Sequence, residues 1–200
     1  GLVTVATLPR ITSEHIIGNY GIAASGKVAS VCIFSKVPIT EVRTIYLDYQ
    51  SRTSVRLAQI LLKKYFKHDV TYVNAPDNFI DLIAGTTAAV IIGDRALEQL
   101  HNFEYVYDLA EEWQLFTGLP FVFAAWIANK PLDNAFIDAF DAANAFGLTM
   151  IPEIALNLNY PNYDLNTYYT QNIHYILDED KKAGLQLYLQ YLDEMKNELL

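Results

Sequence analysis

Residues 51–54 read Ser-Arg-Thr-Ser, three hydroxyls and a guanidinium in succession. They fall where a strand-like run, Thr44–Asp48, gives way to a helical run, Thr53–Phe66. The first turn of a helix has backbone N–H groups without intrahelical partners and carries a partial positive charge. Ser51, Thr53 and Ser54 add hydroxyl donors to those amides, and Arg52 adds a formal charge. Such a set is a cradle for an anion, in which each charge-assisted hydrogen bond contributes about 1.5–3 kcal/mol. Two or three of them hold a carboxylate. The plain alternative is that Ser51 or Thr53 only caps the helix and Arg52 only faces water. Spacing alone leaves both readings open.

Two more places have the right chemistry. Gly93 and Asp94 end the apolar run "TAAVIIGD", and residues just past the C-terminal end of a strand line the crevice in open α/β sheets. Gly93 lets backbone approach a ligand closely; Asp94 alternatively caps the short helix that begins "RALEQL". Ser30 closes "SGKVAS", where a loop passes into a strand, and either faces a cleft or sits within the strand.

Other chemistries lack their residues. There is no Ser/His/Asp arrangement, phosphate-binding glycine loop or GxGxxG. Glu111 and Glu112 are neighbours on a helical turn and do not converge on one point, so they read as a solvated face. The four histidines, His15, His68, His101 and His174, form no HxH or HxxxH pair, so no metal site is expected. Cys32 is the one cysteine; it excludes an internal disulfide and, within "VASVCIFS", reads as a buried, inert thiol.

The elements that must position these residues alternate. Leu2–Leu8 reads as a short strand, and Arg10–Lys27 as a loop-rich connection holding another. Strands are expected at Val28–Ser35, Thr44–Asp48, Val70–Ala75, Thr87–Asp94 and Pro120–Ala128. Helices are expected at Thr53–Phe66, at Asp77–Gly85 with Asp77 as cap, and within Tyr105–Gly118 after a strand. Further helices are expected over Asn134–Asn159, broken near Gly147 or Pro152, over Leu165–Ile173 and over Asp178–Leu200. Strands alternating with helices predict an α/β protein with a largely parallel sheet. Thr44–Leu115 reads as a self-contained β-α-β-α-β set. The similar flanking strands "VASVCIFS" and "LPFVFAAW" suggest a chain that leaves one lobe and returns, making a cleft between two.

Composition narrows the partners. The 200-residue chain is 52% hydrophobic, enough for a real core, and has net charge −9. That balance argues against nucleic acid. Lys63, Lys64, Lys67 and His68 are a short cluster at a helix end, where cations suit the dipole. The longest apolar run, Leu119–Ala128, is about ten residues against the roughly twenty that span a bilayer, so no membrane partner is expected. No signal peptide is visible. The sequence opens at Gly1 directly on a strand-like alternation, which predicts that residues upstream cover that edge.

Several runs carry a resemblance in one order along the chain: "GLVTVATLP", "GKVASVCIFSKVP", "YLDYQSRTSVRLAQILL", "AAVIIGDRAL", "YDLAEEWQLFTGLPFVFAAW" and "GLQLYLQYL". Together the chain resembles the chorismate dehydratases of the futalosine route to menaquinone over nearly its whole length. The resemblance implies a bilobed fold like that of type II periplasmic binding proteins, with mainly parallel sheets and flanking helices. One lobe would comprise residues 1–38 and 116–200 and the other 39–115. It implies conversion of chorismate to 3-[(1-carboxyvinyl)oxy]benzoate and water in the cytoplasm, a carbon-oxygen lyase reaction without metal or organic cofactor. Ser30, Ser51, Arg52, Thr53, Ser54, Gly93 and Asp94 become the expected substrate contacts. Family members begin with a further β-α-β portion of about thirty residues that carries a cleft-facing asparagine; that portion is absent here. No base stands out, so that portion or a substrate carboxylate is expected to serve. Two alternatives remain. The sister enzyme making 1,4-dihydroxy-6-naphthoate carries a histidine where this chain has Gly93. A non-catalytic solute-binding protein would capture a small anion on the same fold.

Overall fold

The computed structural model describes residues 1–11, 15–48 and 50–196. The chain opens with strand β1 (Leu2–Thr4) and a 3-10 turn, Val5–Arg10, that contains Pro9. The expected strand to Leu8 stops early because the chain turns there. Val5 and Leu8 drop into the core, and the Ala6 N–H leaves the ladder for the Thr53 hydroxyl, 3.1 Å away. Strands β2 (His15–Ala24), β3 (Val31–Ser35) and β4 (Thr44–Leu47) follow.

Helix α1 (Arg52–Ile60) continues as a π-helical turn, Leu61–Phe66, which ends at left-handed Lys67. Next come β5 (Thr71–Asn74), a 3-10 turn at Phe79–Leu82 and β6 (Thr87–Ile92). The expected Asp77–Gly85 helix shrinks to that one turn, and Asn78 rather than Asp77 precedes it. Helix α2 (Asp94–Gln99), β7 (Tyr105–Asp108), α3 (Leu109–Thr117) and β8 (Phe121–Ala128) complete the central part. Then α4 (Asn134–Thr149) and α5 (Ile151–Asn157) meet at Met150, between the two expected breakers, with Pro152 in the first turn of α5, where it needs no N–H partner. Helix α6 (Leu165–Thr167) runs into a π-helical turn, Tyr168–Asn172. Strand β9 (His174–Ile176) and helix α7 (Glu179–Glu194) close the described chain; the last four positions of the expected Asp178–Leu200 helix lie outside it.

Two sheets result. The first, in the order β1-β8-β2-β9, is antiparallel throughout. The second, β5-β4-β6-β3-β7, is parallel only across β5, β4 and β6; β3 runs against both β6 and β7. The α/β class and flanking helices stand, but mainly parallel sheets do not. Parallel neighbours need a crossover, and only the β4-to-β5 and β5-to-β6 connections provide one beside a shared strand. β3, which the expected division assigns to the lobe of residues 1–38 and 116–200, pairs Val31 with Ile92 and Cys32 with Asp108 inside the second sheet.

The second sheet is buried on both faces. Val31 and Ile33 of β3, Ala88 and Val90 of β6, and Ile45 and Leu47 of β4 face one cluster, which continues through α1, α3 and α7 to Phe121, Val122 and Ala125 of the first sheet. The alternate residues Cys32, Phe34, Ala89 and Ile91 face a smaller cluster with Phe79, Ile83 and Ala96. This is strand periodicity read twice, and it fixes the register. Fully buried Tyr188 of α7 meets Phe121 edge-on at 5.0 Å and Trp113 of α3 at 6.2 Å. Among the described residues, no helix is long and apolar enough to cross a membrane.

Candidate functional site

Because β4 and β6 are parallel neighbours, their C-terminal ends lie side by side, and antiparallel β3 brings its N-terminal end to the same rim. This topology gathers Ser30, the 51–54 turn and Gly93-Asp94 along one edge of the second sheet. The Gly93 N–H donates to the Ser30 carbonyl at 2.8 Å. Gly93 has φ +65° and ψ −148°, a conformation open in practice only to glycine. It occupies the cap position of α2; Asp94 is the first helical residue, is exposed, and makes no capping bond.

The four residues of the turn divide into two pairs. Ser51 caps α1: its Oγ accepts from the Ser54 N–H at 3.2 Å and shares a hydrogen bond with the Ser54 hydroxyl at 2.9 Å. Ser51 and exposed Arg52 line a cavity of about 280 Å³ at the end of β4. Thr53 and Ser54 are buried instead. The Thr53 hydroxyl accepts from the Ala6 N–H, and its carbonyl accepts the Tyr188 hydroxyl at 3.2 Å. Burial pushes the Tyr188 phenol far above its ordinary value, so it stays a donor. Thr53 therefore holds the turn in place from within, and the cradle facing the cavity is Ser51, Arg52 and the open first turn of α1.

No spacing or motif singles out the residues of the cavity's other walls. Arg56 lies one turn along α1 from Arg52, Arg10 comes from the 3-10 turn, and Asp48 and Asn74 end β4 and β5. Asp48 is fully buried. It accepts the Gln50 N–H at 3.0 Å and an Arg95 N–H at 2.6 Å, so its charge is held by α2. That ion pair ties the 51–54 side of the rim to the Gly93-Asp94 side. Arg56 donates to Gln59 at 3.1 Å. Burial and the nearby Arg10 and Arg52 charges pull its guanidinium below the ordinary value, against some help from Tyr188. A broader hollow of about 590 Å³ lies at the opposite end of β4 and β5, by Arg43, His68 and Thr86. It is larger, but the N-terminus of α1 points to the other rim, where the candidate site was expected.

A tyrosine-rich segment lies against the rim. The Ser30 and Tyr168 hydroxyls share a hydrogen bond at 2.9 Å, and Tyr160 donates to the Asp94 carbonyl at 3.2 Å. Tyr163 donates to Asn172 at 3.0 Å, and Asn172 donates to the Lys27 carbonyl at 3.0 Å. Ser30, buried at 4% exposure, is thus occupied by Tyr168. Burial raises the Tyr168 phenol and keeps it protonated.

Burial pushes the Cys32 thiol up, with the Asp108 charge adding to it, and its Sγ points at the Ala29 carbonyl at 3.4 Å. Asp108 caps α3 through the Ala110 and Glu111 N–H groups and accepts the Ala29 N–H at 2.6 Å. Among the described residues, no group of three or more His, Cys, Asp and Glu is placed to hold a metal ion.

The family model described as menaquinone biosynthesis matches residues 1–194. A chorismate dehydratase of Thermus thermophilus is 27% identical over 203 aligned residues, 90% of this chain and 74% of the relative. Among solved structures, a protein of Archaeoglobus fulgidus superimposes with TM-score 0.60 at 13% identity, over 98% of this chain and 78% of its own. A candidate nitrate transport protein of Thermoplasma volcanium gives TM-score 0.55 at 15% identity, with the same coverages. At those identities the likeness shows the fold alone, two sheets with flanking helices. The family match covers residues 1–194 of the 200, every residue of the rim and its supports among them, and on that ground the chain belongs to the menaquinone-biosynthesis family.

Proposed function

We propose that this chain is a chorismate dehydratase, a cytoplasmic hydro-lyase that converts chorismate to 3-[(1-carboxyvinyl)oxy]benzoate and water. The observation that carries the reading is the polarity of the cavity at the end of β4. In a chain of net charge −9, the wall there offers Ser51, Arg52, Arg56 and Arg10, and its one carboxylate, Asp48, is held by Arg95. Such a wall accepts a carboxylate ligand. The family match and the dehydratase relative support the choice of chorismate.

The chemistry follows from the substrate. A ring proton, vinylogously activated by the ring carboxylate, leaves first and its electron pair spreads into a dienolate. The pair then re-forms a ring double bond as the carbon–oxygen bond to the hydroxyl breaks. Proton and hydroxide leave as water, the ring becomes aromatic, and no electrons are gained or lost. Ser51, Arg52 and the first-turn amides of α1 meet the ring carboxylate, where the dienolate charge collects, and stabilise it as it develops. Gly93 and Asp94 form the rest of the rim, and Ser30 supports it from within through Tyr168. Thr53 and Ser54 support the turn from behind, and a substrate carboxylate is the proposed base. The naphthoate-synthase alternative needs a histidine where Gly93 stands at φ +65°.

The test is incubation of the protein with chorismate, with chromatographic and ultraviolet detection of an aromatic product. Appearance of 3-[(1-carboxyvinyl)oxy]benzoate supports the reading. Unchanged chorismate refutes it, and tight binding without turnover would favour the non-catalytic anion binder.

A further inference from the structure

Arg10, Arg52 and Arg56 line one cavity of about 280 Å³, drawn from a chain with 14 lysines and arginines against 23 acidic residues. Among the described residues, none of the three has an acidic partner. Arg56 donates only to the neutral Gln59, and the cavity's carboxylate, Asp48, is engaged by Arg95. Arg52 and Arg56 stand four apart on α1, so they share a face and repel each other. Arg10 arrives from a different element, the 3-10 turn after β1, and adds to that repulsion. Folding gains nothing from three like charges around one hollow. A ligand carrying two negative charges removes the penalty.

The cationic wall has two parts. Arg52 belongs with Ser51 at the first turn of α1. Arg56, one turn further along α1, and Arg10, from the 3-10 turn, also line an adjoining cavity beside Leu192 and Asp193. Asp193 does not neutralise them, since it pairs with Lys196 at 3.1 Å. We propose that Arg10 and Arg56 form a second anion seat, which grips the distal carboxylate of a dicarboxylate whose first carboxylate lies at Ser51 and Arg52. The inference rests on the reading of the ligand as a cyclic dicarboxylate, chorismate or its product, and adds how its second charge is recognised. Two seats make the site select a dianion over a monoanion of the same ring. Arginine suits both, because its planar fork matches a carboxylate bidentately.

The test compares two probes by titration calorimetry on the full chain. The first, 3-[(1-carboxyvinyl)oxy]benzoate, carries two carboxylates; the second, 3-hydroxybenzoate, keeps only the one on the ring. The unsubstituted protein is expected to prefer the dianion by about tenfold or more, the ratio that one added charge-assisted contact gives. Arg10→Gln and Arg56→Gln are expected to cut that preference to within about threefold, because they weaken the dianion more than 3-hydroxybenzoate. Arg56→Lys, which keeps the charge, retains most of the preference, and melting curves verify that every variant folds. A preference that is absent, or that survives both glutamine substitutions, overturns the second seat. The dehydratase reading fails separately: a protein that leaves chorismate unchanged yet shows the preference and its loss keeps the seat and loses the reaction.

Discussion

Replacing Asp48 by Asn tests the structural hub of the site. The substitution is nearly isosteric and keeps an acceptor for the Gln50 N–H, so it removes one thing, the charge facing Arg95. The Asp48 side chain is 0% exposed and that of Arg95 is 29% exposed. Breaking a fully buried pair costs about 3–5 kcal/mol, because the abandoned partner keeps an uncompensated charge. Here Arg95 can turn part of its head to water, which places the loss nearer the 1.5–3 kcal/mol of a single charge-assisted hydrogen bond. We take about 2 kcal/mol, a fall of about 4–8 °C in melting temperature for a domain of this size. Chemical denaturation of Asp48→Asn, Arg95→Gln and the double variant measures it. The singles should each lose about 2 kcal/mol and the double little more, since after the first loss no pair remains. Ligand affinity should fall with them, because the two halves of the rim lose their tie. If Asp48→Asn costs under about 0.5 kcal/mol, or if the singles add in the double, the pair does not organise the rim.

The other substitutions probe neighbouring links. Arg52→Ala should lower kcat/KM for chorismate by about tenfold or more with an unchanged melting curve, the loss of one charge-assisted contact. Thr53→Ala should do the reverse first, lowering stability by about 1 kcal/mol as the Ala6 N–H loses its acceptor, with activity falling as a consequence. Gly93→Ala forces a side chain into φ +65° and should cost about 1–3 kcal/mol, read by thermal melting and by weaker probe binding. His174 is held below its ordinary value of 6.5 by burial first and by Lys181 second. The unfolded chain thus takes up the proton more readily, so its contribution is present above pH 6.5 and is lost as pH falls through the lowered value. Denaturation of His174→Gln should therefore show a smaller loss of stability than the parent between about pH 7.5 and pH 5.5; equal losses would dismiss His174 as a source.

What the sequence disclosed was local. The strand-then-helix reading of Tyr105–Gly118 stands because Asp108 and Gly118, the caps of α3, lie next to it and need no distant partner. The Ser51 cap and the flat apolar run of β6 were legible for the same reason. Periodicity showed that "VCIFS" is a strand but not which sheet it joins, because burial on both faces suits several neighbours. β9, at three residues, is too short for any period to register. At the site, the types at 51–54 were visible and their directions were not. Thr53 turns inward because α1 lays that side against the 3-10 turn and α7, a contact set by residues 47 and 135 positions away. Asp48 and Arg95 likewise meet across 47 positions, and no spacing rule joins them.

That last geometry governs when the pocket comes into being. The turn at 51–54 is braced at one residue, Thr53, by an amide near the beginning of the sequence and by a phenol near its end. Contacts so far apart along a chain close late, after the loops between them have been ordered. During synthesis the brace from Tyr188 arrives 135 residues after Thr53 itself. Occupancy by an anion thus reports completed assembly rather than any partly built stage, and a ligand of this pocket is expected to act as a pharmacological chaperone, raising the yield of finished molecules by mass action.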